Sequence, residues 1–191
     1  MRIGKVYRKT RETEIKVKVN LDSNGKVNIQ SGVSFLDHLI VSLATHSLID
    51  IEAEIKSDLK HHLIEDFAIC LGEAIKKALG TREGIIRFGN SFVPMDDTLA
   101  FSAVDLIKRP YSVINLKLKG KKIEDMPTED INHFFKSFST SLNANIHMFV
   151  HYGGNDHHKV EAAVKALALS LKQAIALDSR RIGIPSSKGV I

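Results

Sequence analysis

Two short stretches of this chain are near copies of each other, and that repetition limits its fold more than any other feature. Residues 61–80 laid on 157–176 match at His61/His157, His62/His158, Glu65/Glu161, Leu71/Leu167, Lys76/Lys172 and Ala78/Ala174. A helix-bearing β unit of half this length cannot bury a full core alone, so two copies are expected to pack as one body. The 191 residues, 43% hydrophobic and 26% charged, carry enough apolar side chains for one such core. No low-complexity linker separates the copies. A single domain of two pseudo-repeats is therefore expected, about 1–82 and 83–178. After residue 178 the chain turns to a polar tail, 179–191, punctuated by Gly183, Pro185 and Gly189.

Hydrophobic periodicity fills in the elements. Ile15, Val17, Val19 and Leu21 alternate with Glu14, Lys16, Lys18 and Asn20, which predicts a half-buried strand. Asp22-Ser23-Asn24-Gly25 then predicts a turn into a short return strand, 26–30. Helix 35–45, strand 49–56 and helix 61–79 follow, the last with Ile64, Phe67, Leu71, Ile75 and Ala78 at helical spacing. The first half thus reads β-β-α-β-α. In the second half strands are expected near 85–93, 98–106 and 111–119, then a helix from Thr128 to about 141, a strand 145–151 and a helix 157–176. Asp156 is the expected cap of that last helix.

Histidine is the compositional anomaly: nine, beside three Tyr and no Trp. His61 and Glu65, like His157 and Glu161, stand four apart on one helix face, while His62 and His158 are rotated by about 100°. Adjacent histidines chelate one ion badly, so each doubled pair is better explained if it serves two ions. One HHxxE segment is weak evidence; two at corresponding positions of a duplication are strong. His38 and His133 precede the two segments at closely similar distances. Six histidines and two glutamates, shared between two ions, give three imidazoles and one carboxylate each. That set suits Mn, Fe, Co or Zn, and an octahedral ion would keep positions open for substrate. His46 fits either the end of the first helix, where a cation suits the dipole, or a place near the same site. His147 and His151 lie on a strand face opposite Ile146, Met148 and Val150 and are read as structural or surface residues.

The remaining composition narrows the partners. A single cysteine, Cys70, argues against a disulfide framework or a zinc ribbon, and a net charge of +5 is compatible with an anionic partner or substrate. No apolar run reaches the length of about 18 residues that a membrane helix needs, and no apolar leader follows Met1, so a cytoplasmic protein without a membrane partner is expected. Basic residues are dispersed, with no run beyond Lys119-Gly120-Lys121-Lys122 and no aromatic interleaving. A small phosphorylated substrate suits this excess better than nucleic acid.

Taken together, Arg11-Glu12-Thr13, Phe35-Leu36-Asp37-His38, the HHxxED segment 61–66, Val93-Pro94-Met95-Asp96, Arg109-Pro110, Asn155-Asp156-His157-His158-Lys159-Val160-Glu161 and Pro185-Ser186-Ser187-Lys188-Gly189 resemble imidazoleglycerol-phosphate dehydratases, from about residue 7 onward. The resemblance implies an α+β fold of the ribosomal protein S5 domain 2-like kind: two pseudo-repeated halves, each a four-stranded sheet covered by two helices. It implies a homo-oligomer of about 24 subunits with metal sites at subunit contacts. It further implies a hydro-lyase that dehydrates D-erythro-imidazole-glycerol phosphate to imidazole-acetol phosphate, with two Mn2+ per active site. The metals would hold the substrate ring as imidazolate, which expels the distant hydroxyl through a diazafulvene-like intermediate.

Residue by residue, the resemblance makes His38, His61, His62, Glu65, His133, His157, His158 and Glu161 metal ligands. Glu12 becomes the general base and Glu161 a second catalytic carboxylate. Substrate contacts fall to Glu12 and His46, and phosphate contacts to Arg87, Arg109, Lys165, Ser186 and Lys188. Several positions depart from the family pattern. Ser57-Asp58-Leu59-Lys60 leads into His61 about three residues short of it; Leu63 stands where Thr is usual; Asp97-Thr98 replaces Glu-Ala; Lys108 replaces Gly; and Ser42 stands where Gln often contacts substrate. Two other functions suit the same residues. A di-metal phosphatase would release inorganic phosphate, and a metal-storage protein would bind ions without any elimination.

Overall fold

The structure, a computed structural model, describes residues 1–190. Ile191, the last residue of the expected tail, lies outside the described residues. The first half runs β1 (Ile3–Lys9), β2 (Thr13–Asn20), β3 (Val27–Asn28), α1 (Ser34–Ser47), β4 (Asp50–Ser57) and α2 (Lys60–Leu79). The second runs β5 (Phe88–Met95), β6 (Thr98–Asp105), β7 (Tyr111–Asn115), a small hairpin of β8 (Lys122–Ile123) and β9 (Met126–Pro127), α3 (Thr128–Leu142), β10 (Asn145–Tyr152) and α4 (Asp156–Ile175). Their sheets have one topology: β1-β2-β4-β3 in the first and β5-β6-β10-β7 in the second. In each, the fourth strand of the order is parallel to its neighbour and the other pairings are antiparallel. The chain is therefore an α+β protein of two similarly built halves.

Alternation placed most strands correctly, because one face of each sheet is buried. Ile15, Val17 and Val19 on β2, and Ile146, Met148 and Val150 on β10, are inward and buried. Three expectations need correction. β3 does not return along β2 as a hairpin; it pairs in parallel with β4, which lies between them, because α1 carries the chain across before β4 forms. Asp156 does not cap α4. The Asn155 side chain accepts the backbone N–H of His157 and His158 (2.8 and 3.4 Å), while Asp156 accepts from Lys119 N, Gly120 N and Lys159 Nζ at 2.7–2.8 Å. The third strand of the second half stops at Asn115 rather than reaching 119, since Lys117 takes a left-handed φ of 52°.

β1 is absent from the sequence reading for a physical reason. Of its inward positions only Gly4 and Val6 are buried, and a glycine gives no hydrophobic signal. Gly4 is there because α2 lies directly on the strand: a Cβ at residue 4 would sit 1.8 Å from the carbonyl oxygen of Ala74. Gly89 on β5 has the same relation to α4, 1.9 Å from Ser170 O. The duplication thus extends to a paired glycine that residue matching over 61–80 does not reveal.

The helices do not stay with their own halves. α2 packs on β1 and β2, and α4 on β5 and β6, but α3 packs on α2 and α1 on α4. Buried apolar side chains from both halves form one continuous cluster, from Val6 to Ile175. Arg82, 1% exposed, donates to the carbonyls of Leu142 and Asn143 (2.7 and 2.9 Å), tying the end of the first half to the C-terminus of α3. Arg2 pairs with Asp22 and donates to Ile175 O (2.6 Å) at the end of α4.

Gly4→Ala and Gly89→Ala should each lower stability by about 1–3 kcal/mol, since the clash is with helix backbone that cannot rotate away; thermal melting of the two variants beside wild type tests this, and unchanged melting would contradict the close approach. The Arg2 guanidinium holds the Asp22 carboxyl below its ordinary range. Its stabilising share is thus present above about pH 4 and lost as pH falls through the lowered value. Asp22→Asn should be less stable than wild type at pH 7 by up to about 1 kcal/mol, with the difference closing in acid. Chemical denaturation across pH reads this directly.

Candidate functional site

Cross-packing of the helices brings together side chains that are far apart in sequence. His38, on the first turns of α1, meets His157 and Glu161 on α4; His133, on α3, meets His61 and Glu65 on α2. In each triad one donor atom per residue lies within 4.8 Å of the others. The His38 and His157 Nε2 atoms stand 3.2 and 3.3 Å from Glu161 Oε2, and His133 Nε2 stands 3.5 Å from Glu65 Oε1, with the His61 and His133 rings stacked 5.6 Å apart. Each triad therefore draws on both halves of the chain, a pairing that sequence spacing leaves open. Two imidazoles and one carboxylate converging in this way suit a first-row divalent ion.

The four histidines of the doubled pairs share a second feature. Each Nδ1 lies against a carboxylate: His61 on Asp130 (2.6 Å), His62 on Asp58 (2.8 Å), His157 on Glu124 (3.2 Å) and His158 on Asp97 (2.9 Å). An imidazole that donates Nδ1–H to an anion presents its Nε2 lone pair outward with raised basicity, the arrangement found behind metal-binding histidines. His62 and His158 point away from the triads, as their rotation on the helix predicts. Sequence reasoning missed these four carboxylates as braces, although Asp58 and Asp97 both stand where the chain departs from the family pattern. Even in the shortened segment before His61, Asp58 reaches His62.

Electrostatics follow these contacts. His62 holds the Asp58 carboxyl low, and Asp58 in turn raises His62, with Glu12 adding to it. Asp97 is held far below the usual carboxylate range by His158 and by the Gly154 backbone N–H. Burial works against ionised Glu161, but Lys165 (2.9 Å) and His38 outweigh it and keep the carboxyl low. Burial pushes the Cys70 thiol up to about 12, which leaves it inert.

The other expected residues divide into two groups. Glu12 is exposed in the β1–β2 turn, 3.9 Å from His62 Nδ1. That turn is fixed from α2 and the connection before it: Asp66 accepts from Thr13 Oγ1 and from Arg8 Nε, and Asp58 N donates to Glu12 O. Lys165 belongs to the same end of the molecule through Glu161. Arg87 does not. Its backbone N–H donates to Ala174 O, about 25 Å along α4 from His157 at 1.5 Å per residue. There its guanidinium pairs with Asp105 and donates to Pro185 O (2.8 Å), anchoring the tail that carries Ser186 and Lys188. Arg109 is exposed in the connection from β6 to β7, beyond Asp105 at this same end. His46 lies on the last turn of α1, about 12 Å beyond His38. His147 and His151 lie on the outer face of the second sheet beside Tyr111 and Phe92. A cavity of about 360 Å³ opens on the first triad, lined by Ser34, Phe35, His38, Glu124, Asp125 and His157. A larger hollow of about 490 Å³ lies on the outer face of the first sheet, among the Lys16–Glu54 and Lys18–Glu52 ion pairs and away from both triads.

The chain matches known proteins in sequence and in fold. The family described as imidazoleglycerol-phosphate dehydratase matches residues 31–171. The enzyme of that name from Clostridium kluyveri is 42% identical over 194 residues, covering 100% of both chains, and that from Clostridium botulinum strain Okra is 45% identical over 192 residues, covering 99% of this chain and 98% of its own. A crystal structure of imidazoleglycerol-phosphate dehydratase from Staphylococcus aureus superposes with a TM-score of 0.85 at 29% identity, covering 92% of this chain and 99% of that one. The Pyrococcus furiosus structure gives 0.85 at 34% identity, covering 97% and 100%.

Asp58→Asn removes the anion that raises His62, so the imidazole should titrate closer to its ordinary value, about 6.5. Histidine NMR signals followed across pH in metal-free protein would show the shift downward, and an unmoved His62 curve would refute the brace.

Proposed function

The chain belongs to the imidazoleglycerol-phosphate dehydratase family, hydro-lyases of histidine biosynthesis, and from that premise we propose that its two cross-built His–His–Glu triads are the ligand sets of a manganese-dependent active site. The observation that carries this reading is the convergence of His38, His157 and Glu161, and of His61, Glu65 and His133, each within 4.8 Å. His62 and His158, braced and facing outward, complete the ligand set. Two Mn2+ per active site fit these eight residues. An ion held there would supply Lewis acidity that favours the substrate's imidazole ring in its deprotonated form.

The rest of the chemistry is assigned to the chain. The proton to be removed sits on a carbon beside the ring and next to no carbonyl, so a base needs the ring's help. Glu12, exposed beside His62, takes that proton, and Glu161, kept ionised by Lys165 and His38, is the second carboxylate of the reacting centre. Lys165, Arg87, Arg109, Ser186 and Lys188 bind the phosphate, and His46 completes the substrate surface. Within one chain, however, α4 separates Arg87 and the tail from the triads by about 25 Å. That separation supports a homo-oligomer in which one copy's tail end meets another's triad end, and an assembly of about 24 subunits fits it. The chain is read as one domain of two pseudo-repeats, about 1–82 and 83–178, with the 179–191 tail closing on substrate. The reading requires no nucleic-acid or membrane partner and places the enzyme in the cytoplasm.

The test is direct. Manganese-loaded protein given imidazole-glycerol phosphate should release water and form the ketone imidazole-acetol phosphate, without inorganic phosphate. Chelation with EDTA should abolish the reaction, and Glu12→Gln should lower it by about 10²–10⁴-fold while binding metal normally. Equal turnover after chelation would remove the metal from the mechanism, and phosphate release would point to a phosphatase.

A further inference from the structure

The two triads are alike in composition but are braced differently. His61 is braced by Asp130, which is buried on α3, the helix that also carries His133. Brace and ligand there belong to one rigid element. His157 is braced by Glu124, in the turn of the β8–β9 hairpin. This hairpin has no counterpart in the first half among the described residues: residues 29–33 alone join β3 to α1, whereas 116–127 join β7 to α3 and contain it. Glu124 holds a left-handed φ of 51°, a conformation that a non-glycine residue keeps only where its surroundings enforce it.

That φ suits its place in the two-residue turn between β8 and β9, and its neighbour ties the same turn to the other half of the chain. Asp125 reaches into the first half, where its carboxylate accepts the backbone N–H groups of Ser34 and Phe35 (2.7 and 3.0 Å) at the start of α1. α1 has no side-chain cap of its own, its N-cap residue being Val33, so Asp125 supplies from elsewhere in the chain what an N-cap Ser or Asp would supply locally. Lys60 Nζ stands 3.9 Å from the same carboxylate. The two adjacent side chains therefore hold two different parts of one triad: Glu124 the ring of His157, Asp125 the helix that presents His38. Between them Phe35 packs on both rings, 5.0 Å from His157 and 6.3 Å from His38, and the 360 Å³ cavity opens at that point.

We propose that the Lys122–Pro127 hairpin is a clamp for one of the two metal sites. Glu124 and Asp125 are positioning residues for the His38–His157–Glu161 triad, and Asp130 serves the other. The proposal rests on the reading of the triads as metal ligands. It makes the two sites of a chain separable, although duplication gave them the same donors.

Metal-depleted full-length protein titrated with Mn2+ alone, with free ion counted from its EPR signal, tests this. Wild type should bind two ions per chain. Glu124→Gln should weaken one of the two by ten- to a hundredfold and leave the other unchanged. Adding His38→Ala to it should cost no further tight site, while adding His133→Ala should remove the one that remains. Asp125→Asn should weaken the same site as Glu124→Gln, and Asp130→Asn the opposite one. Glu124 is exposed, so its variant should melt as wild type does. Equal weakening of both sites, or of neither, by Glu124→Gln overturns the clamp. A wild-type chain that binds no Mn2+ overturns the metal reading beneath it, which is a different result.

Discussion

The contact of α1 with α4, and of α3 with α2, is the constraint from which the site follows. Had each helix pair closed on its own sheet, His38 would face the first repeat's HHxxE and His133 the second's, and each half would carry its own cluster. Exchange of partners makes each triad a joint product, so neither can form unless the whole chain has folded. It also explains why one apolar cluster runs through both halves. A four-stranded sheet with two helices buries too little surface to stand alone, and interleaving the helices gives each sheet a thicker cover.

Charges are used at the seams of this exchange. Burying an unpaired guanidinium costs several kcal/mol, so Arg82 can be 1% exposed only because two carbonyls at the end of α3 accept from it. Lys159, equally buried, is satisfied by Asp156 and by Lys117 O. Asp125 closes the N-terminus of α1 in the same manner. In each case a helix terminus or loop from one part of the chain is completed by a charged side chain from another, which fixes the helices in register as well as in contact. The histidines of the triads inherit that register, since His38, His61 and His157 all lie within the first turns of their helices.

Strands and helices with a clean period were legible, down to the buried faces of β2, β10 and α2. β1 was not, because its key inward residue is a glycine chosen for closeness to α2 rather than for hydrophobicity. β3 was legible as a short strand but not in its pairing, since a two-residue strand carries no sign of its partner. The hairpin of β8 and β9 gave no periodic signal at all. Of the site, the eight histidine and glutamate positions were visible through duplication and resemblance. The four carboxylates behind His61, His62, His157 and His158 were not: Asp58 is four residues from its histidine, but Asp97, Glu124 and Asp130 are brought to theirs by folding alone.

The sequence by itself determined that there are two equivalent halves, which residues repeat between them, and that the repeats carry metal-ligand types with one His and one Glu on a shared helix face and a second His turned away, because periodicity and duplication are properties of order along a chain. Only the tertiary structure decided which histidine meets which glutamate, which carboxylate steadies each ring, and that the triads and the tail-anchoring Arg87 stand at opposite ends of α4. Those outcomes depend on which helix faces pack together, and a linear pattern that is satisfied equally well by either partner cannot choose between them.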